Sequence, residues 1–172
     1  MLDHRQFATR EEFDRGLIEI IDPQAPALVL LAGFMRRLTP AFTEHFEGRL
    51  LNIHPSLLPR YPGLDTHQRA IDAGDRWHGC SVHFVTAVLD GGPLIARSAV
   101  SVESDQCAST LAAKVLRKEH MLYPKVVSMC LRGDVALQNS HVFLCGEKLH
   151  SCLLYTSPSP RDLSTSRMPS SA

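Results

Sequence analysis

The stretch Leu50-Leu51-Asn52-Ile53-His54-Pro55-Ser56-Leu57-Leu58-Pro59 constrains the fold more than any other part of the chain. An apolar run carrying an Asn leads into a His, and two prolines then bracket Ser-Leu-Leu. This reads as the end of a buried strand followed by a rigid loop. Residues two apart in a strand face the same way. Asn52 and His54 therefore project together at the strand's carboxyl end, where open α/β sheets place their ligands. Pro55 has no N–H and stops the ladder. An amide donor thus stands beside a titratable imidazole on a stiff mount.

The rest of the chain supplies a sheet for that strand. Thr9-Arg10-Glu11-Glu12 has the capping-box pattern, and Phe13, Leu17, Ile18 and Ile21 follow at helical spacing. Pro23 ends the helix. Ala27 to Ala32 is continuously apolar, as in a strand covered on both faces, and Gly33 breaks it. Thr39-Pro40 is an N-cap with proline at the first helical position, opening a short helix to about Phe46. Helix, strand, helix, strand implies a crossover and parallel pairing. Asp65 or Thr66 can cap a helix to Ala73, closed by Gly74. Gly79 to Thr86 and Pro93 to Val102 read as further strands. Ser104 or Asp105 is expected to cap a long helix through Leu111, Val115 and Leu122, which Pro124 should kink or restart. Val135-Leu137, Val142-Leu144 and Lys148-Leu149 read as a small antiparallel addition. The fold class is therefore α/β: an incomplete doubly wound, mostly parallel sheet with helices on both faces.

Composition narrows the function. With 172 residues, one domain is the prior. The formal net charge is zero, so there is no basic surplus to neutralise phosphates, and no nucleic-acid partner is expected. Neither a membrane span nor a signal peptide is expected. The five cysteines show no ligand or CxxC spacing and read as free thiols in a reducing cytoplasm. His67, His78 and His83 fit no usual metal pattern and read as core or loop histidines, so no metal is expected.

Four blocks in order carry a resemblance. They are Leu31-Ala32-Gly33-Phe34-Met35-Arg36, then Asn52 to Pro59 with Tyr61-Pro62-Gly63, then His78-Gly79 with Ser81-Val82-His83-Phe84-Val85, then Leu89-Asp90-Gly91-Gly92-Pro93. The chain from its first helix to about Leu149 resembles the glycinamide ribonucleotide (GAR) formyltransferase family. The resemblance implies transfer of a formyl group from 10-formyltetrahydrofolate, as cosubstrate, to the amine of GAR in purine synthesis. Formyl transfer develops negative charge on oxygen and needs donors aimed at it, which Asn52 and a protonated His54 provide. Asp90 would supply the anion that keeps His54 charged and relay the proton to the leaving nitrogen.

The resemblance further implies that Met35, Arg36 and Leu38 line the folate pocket, with Val85, Thr86 and Leu89 in a segment that wraps the pteridine. Pro55 and Glu119 would contact the substrate, and Tyr61 to His78 would form a lid. Arg37 stands where an apolar residue is more usual, and Ala87 and Val88 where acidic ones are. Arg36-Arg37 reads as solvated surface, with binding of an anionic folate tail as the alternative. The family's Gly-Ser-Asn phosphate loop has no counterpart, so an N-terminal unit on the order of 50 residues is expected to be missing. That absence implies an exposed apolar edge and little activity in isolation. Residues 152–172, with six serines and three prolines, resemble a translated sequencing adapter and are expected to be disordered. The rival readings are a non-catalytic folding unit, methionyl-tRNA formyltransferase and formyltetrahydrofolate hydrolase.

Overall fold

The computed structural model describes residues 2–155. The elements in order are α1 (Arg10–Ile21), β1 (Val29–Leu31), α2 (Pro40–His45), β2 (Leu50–His54), α3 (Thr66–Asp72), β3 (Trp77–Phe84), β4 (Leu94–Ser101), α4 (Ala108–Leu131), β5 (Val135–Gln138), β6 (His141–Leu144), β7 (Glu147–Lys148) and β8 (Leu153–Tyr155). One sheet runs β1-β2-β3-β4-β8, and a second runs β5-β6-β7. The first is mixed: β1–β2 and β4–β8 are parallel, whereas β2–β3 and β3–β4 are antiparallel. The α/β class, the helices on both faces and the small antiparallel addition are all as the sequence implied.

Local chemistry explains the helix starts. The Thr9 hydroxyl accepts from the Glu12 N–H, and the Glu12 carboxylate accepts from the Thr9 N–H, closing the capping box. Thr39 caps α2 with Pro40 in the first turn. The start of α4 differs from expectation, because Cys107 holds the N-cap position rather than Ser104 or Asp105. Pro124 neither ends nor restarts α4. The carbonyl left without its i+4 partner belongs to His120, an exposed residue that water can satisfy. The last strand of the antiparallel addition is Glu147–Lys148 rather than Lys148-Leu149.

The sheet separates two cores. Leu51 and Ile53 face α4, packing with Val82, Phe84, Leu111, Val115, Leu122 and Val126. Leu50 faces the other way, against Phe42 and Phe46 of α2 and Leu17, Ile18 and Ile21 of α1. Leu50 and Leu51 are both fully buried, worth roughly 1.5–3 kcal/mol each in apolar transfer. Alternation then puts Asn52 and His54 on the Leu50 side of the sheet.

The disorder expected from Cys152 onward does not begin there. Leu153, Leu154 and Tyr155 pair with Ala96, Arg97 and Ser98, because the outer edge of β4 offers unpaired N–H and C=O groups to an apolar segment. The remainder of that expected tail lies outside the described residues.

Candidate active site

Asn52 and His54 are held by β2, and their partners come from β3 and the turn after it. Antiparallel register sets His83 directly opposite Asn52. His83 donates through Nδ1 to the Phe84 carbonyl at 2.8 Å, which leaves Nε2 to accept from Asn52 Nδ2 at 3.2 Å. Burial lowers the His83 pKa, keeping the ring neutral and Nε2 an acceptor. One N–H of the Asn52 amide is thus fixed and the second is left for the cleft.

His54 is also buried. Its Nε2 donates to the Tyr61 carbonyl at 2.9 Å, and its Nδ1 lies 3.5 Å from Asp90 Oδ2. With Nε2 committed as a donor, a proton on Nδ1 or on the carboxylate makes the second contact attractive. Asp90 Oδ2 also accepts from the Gly63 N–H at 2.8 Å, and Oδ1 lies 3.8 Å from His83 Nε2. The carboxylate, whose side chain is 8% exposed, therefore joins His54 to the loop and lies beside His83.

Glycine chemistry brings Asp90 back over the sheet. Asp90 itself has φ +49°. A Cβ on Gly92 would meet the Phe84 carbonyl oxygen at 1.8 Å, so only glycine lets the turn lie this close to β3. The loop on the other side is pinned by Ser81, whose Oγ accepts from the Leu58 N–H at 3.0 Å and donates to the Ser56 carbonyl at 2.6 Å.

The segment from Tyr61 to His78 sits above these groups and is tied down along its length. Tyr61 Oη donates to Asp75 at 2.7 Å, and Thr66 Oγ1 donates to the Pro55 carbonyl at 2.6 Å. Arg69 reaches the Pro62 and Leu64 carbonyls at 2.7 and 3.1 Å. His67 Nδ1 and His78 Nε2 are 3.1 Å apart, and burial pushes the His78 pKa down to about 4.

An open cleft adjoins the Asn52 amide. Leu31, Phe34, Leu38, Val85, Val88 and Leu89 give it apolar walls, and Asn52, His83 and Asp90 give it one polar end. Apolar walls with a few convergent polar groups are what a small-molecule site needs. Among the described residues, no group of three or more His, Cys, Asp or Glu is placed to hold a metal ion. None of the described helices is long and apolar enough to cross a membrane.

Residues 1–127 match the family model for formyl transferase. The chain belongs to the formyl transferase family. Phosphoribosylglycinamide formyltransferase of Escherichia coli K12 is 50% identical over 143 residues, which are 83% of this chain and 68% of that protein. The Haemophilus influenzae protein of the same name is 39% identical over 145 residues, 84% of this chain and 68% of its own. The solved phosphoribosylglycinamide formyltransferase of Coxiella burnetii superposes with a TM-score of 0.82 at 46% identity, covering 87% of this chain and 70% of that one.

In this formyl transferase, the residues singled out from sequence do not all meet. Asn52 and Asp90 line the cleft, and His54 contacts Asp90. Arg36, Leu38, Val85, Thr86 and Leu89 line it as well. Met35 is 73% exposed and outside the lining. Pro55 is outside it too, its carbonyl taken by Thr66. Glu119 lies partly buried on α4, where burial raises its pKa, and it takes no part in the cleft. His83 is the residue that sequence reasoning passed over as core. The readable signal was its alternation with Ser81 on a strand able to pair with the one carrying Asn52.

Proposed function

We propose that this site transfers a formyl group from 10-formyltetrahydrofolate to the amine of glycinamide ribonucleotide, in the cytoplasm and as a step of purine synthesis. The observation that carries the reading is the convergence of Asn52, His54 and Asp90 at one end of an apolar-walled cleft. The cosubstrate fits that cleft in kind: a flat apolar ring system between Leu38, Val85 and Leu89, with its reactive end at Asn52. It supplies an activated formyl group.

The substrate amine attacks the formyl carbon, forming the new C–N bond and moving the carbonyl electron pair onto oxygen; collapse of that tetrahedral intermediate then breaks the bond to the cosubstrate nitrogen. Asn52 offers its free N–H to the developing oxyanion. His54 Nε2 offers the second donor once the Tyr61 carbonyl yields its place to the formyl oxygen. Asp90 receives the proton lost by the attacking amine, and through water that proton reaches the leaving nitrogen. His83 holds the Asn52 amide in orientation. No covalent bond to the protein is needed.

The test is to mix the purified chain with GAR and 10-formyltetrahydrofolate and follow formylated product. Turnover that disappears in Asn52→Ala and Asp90→Ala is the expected result. Binding of a stable folate analogue without transfer would assign the chain to the non-catalytic folding-unit reading instead.

A further inference from the structure

The middle of α4 reaches the candidate site through the backbone of the sheet. Tyr123 packs against the core on the α4 side. Its Oη lies 3.0 Å from the Leu31 carbonyl oxygen and 3.0 Å from the Leu51 carbonyl oxygen. The hydroxyl has one proton, which the two oxygens share. Burial raises its pKa, so it remains a donor throughout the neutral range.

Those carbonyls mark the point where two strands part. The Val29 N–H donates to the Arg49 carbonyl at 2.8 Å, and the Val85 N–H donates to the Leu50 carbonyl at 2.9 Å. Carbonyl directions alternate along a strand, so the Arg49 and Leu51 carbonyls face β1 and the Leu50 carbonyl faces β3. β1 pairs with β2 over three residues, and Leu31 with Asn52 is the last pair. Beyond it the chain turns away to Phe34 and Leu38 on the cleft wall. Tyr123 therefore ties the end of β1 to β2 where the ladder stops.

The Leu51 carbonyl lies in the same planar peptide unit as the Asn52 nitrogen. The Asn52 side chain projects from the opposite side of the sheet to α4, so Tyr123 acts on it through that plane alone. The Leu31 side chain lines the cleft together with Asn52. One hydroxyl thus fixes the amide donor and an apolar wall relative to each other. Phenylalanine would keep the ring and remove the tie.

We propose that Tyr123 is a positioning residue for formyl transfer, holding the Asn52 amide in register with the cleft wall through the Leu51 and Leu31 carbonyls. The inference rests on the formyl-transfer reading. Tyr123 touches neither substrate nor cosubstrate. Its effect falls on kcat, because the oxyanion that Asn52 meets develops only toward the transition state.

The test measures turnover of GAR and 10-formyltetrahydrofolate by the full chain and by its Tyr123→Phe, Val126→Ala, Asn52→Ala and doubly substituted Tyr123→Phe/Asn52→Ala forms. Val126 is fully buried in the same core and, being apolar, bonds neither carbonyl, so it reports what loosening α4 alone does. Tyr123→Phe is expected to lower kcat about tenfold with little change in KM. Val126→Ala keeps kcat although it lowers the melting temperature at least as far. In the Asn52→Ala background Tyr123→Phe costs nothing more, because the amide it acts through is gone. The side-chain amide resonances of Asn52, assigned by their loss in Asn52→Ala, shift in Tyr123→Phe and stay in place in Val126→Ala. An unchanged kcat or unmoved Asn52 resonances in Tyr123→Phe overturn the proposal alone. So do equal losses in Tyr123→Phe and Val126→Ala, or a tenfold loss that persists without Asn52. Absence of turnover in the unaltered chain overturns the formyl-transfer reading, and this proposal with it.

Discussion

A single amide, that of Asn52, depends on the protonation state of its neighbour. Neutral His83 accepts from Asn52 Nδ2, and a positively charged ring would push the amide away. Asn52→Ala should lower kcat by about 10²–10³, the usual cost of one oxyanion donor, with little change in KM. Steady-state kinetics checks this, and an unchanged kcat would remove Asn52 from the reaction. His83→Leu keeps Asn52 but frees its orientation, so a smaller loss of kcat is expected there. The pairing of Asn52 with His54 was legible because strand alternation fixes which side chains share a face. The role of His83 was not, because cross-strand register depends on how two distant segments meet. The same holds for Tyr61, which acts through a carbonyl that every residue possesses.

At the scale of elements, the turn after β3 and the segment over it control where the carboxylate stands. Gly92→Ala would force a Cβ against the Phe84 carbonyl oxygen, so the turn must move and carry Asp90 with it. Activity should be lost, with a destabilisation of about 1–3 kcal/mol read from denaturant titration. The covering segment has its own pH response. Unfolded, His78 takes up a proton near 6.5; folded, only near about 4. Between those values the unfolded chain binds more protons, so stability falls as pH drops through that window. A melting temperature constant from pH 7 to 4.5 would contradict this, and His78→Gln should flatten the slope. At the head of α4, hydrogen bonds from Ser109 and Thr110 pull the Cys107 thiol down to about 7, whereas burial pushes Cys80 up to about 12. Iodoacetamide at neutral pH should therefore label Cys107 well before Cys80. The helix starts at Thr9 and Thr39 were readable because their capping chemistry is local. The path of α4 through Pro124 was not, since packing of Leu122 and Val126 overrides the local penalty.

Across the whole molecule, the sheet has two sides but an uncovered end. β1 has β2 on one edge and no strand on the other among the described residues. Leu30 shares a face with Leu28 by alternation and is 45% exposed. An apolar edge strand without a charge invites pairing with another chain. Leu30→Lys should reduce concentration-dependent association in sedimentation velocity, leaving the far-UV spectrum unchanged. The sequence carried this hazard openly in the apolar run from Ala27 to Ala32. It did not disclose that β8 would close the opposite edge, because three residues with weak periodicity acquire a strand only from the template beside them. The order of β1 to β4 in space repeats their order in the chain, and this has a consequence for synthesis. Every pairing in that part of the sheet joins segments that leave the ribosome one after another, which favours early and rapid pairing. Asn52, His54, His83 and Asp90 are all translated before α4 begins. The groups proposed to do the chemistry are thus in hand while Leu51, Ile53 and Val82 still lack the helix that covers them. The nascent chain acquires its reactive face first and its shelter last.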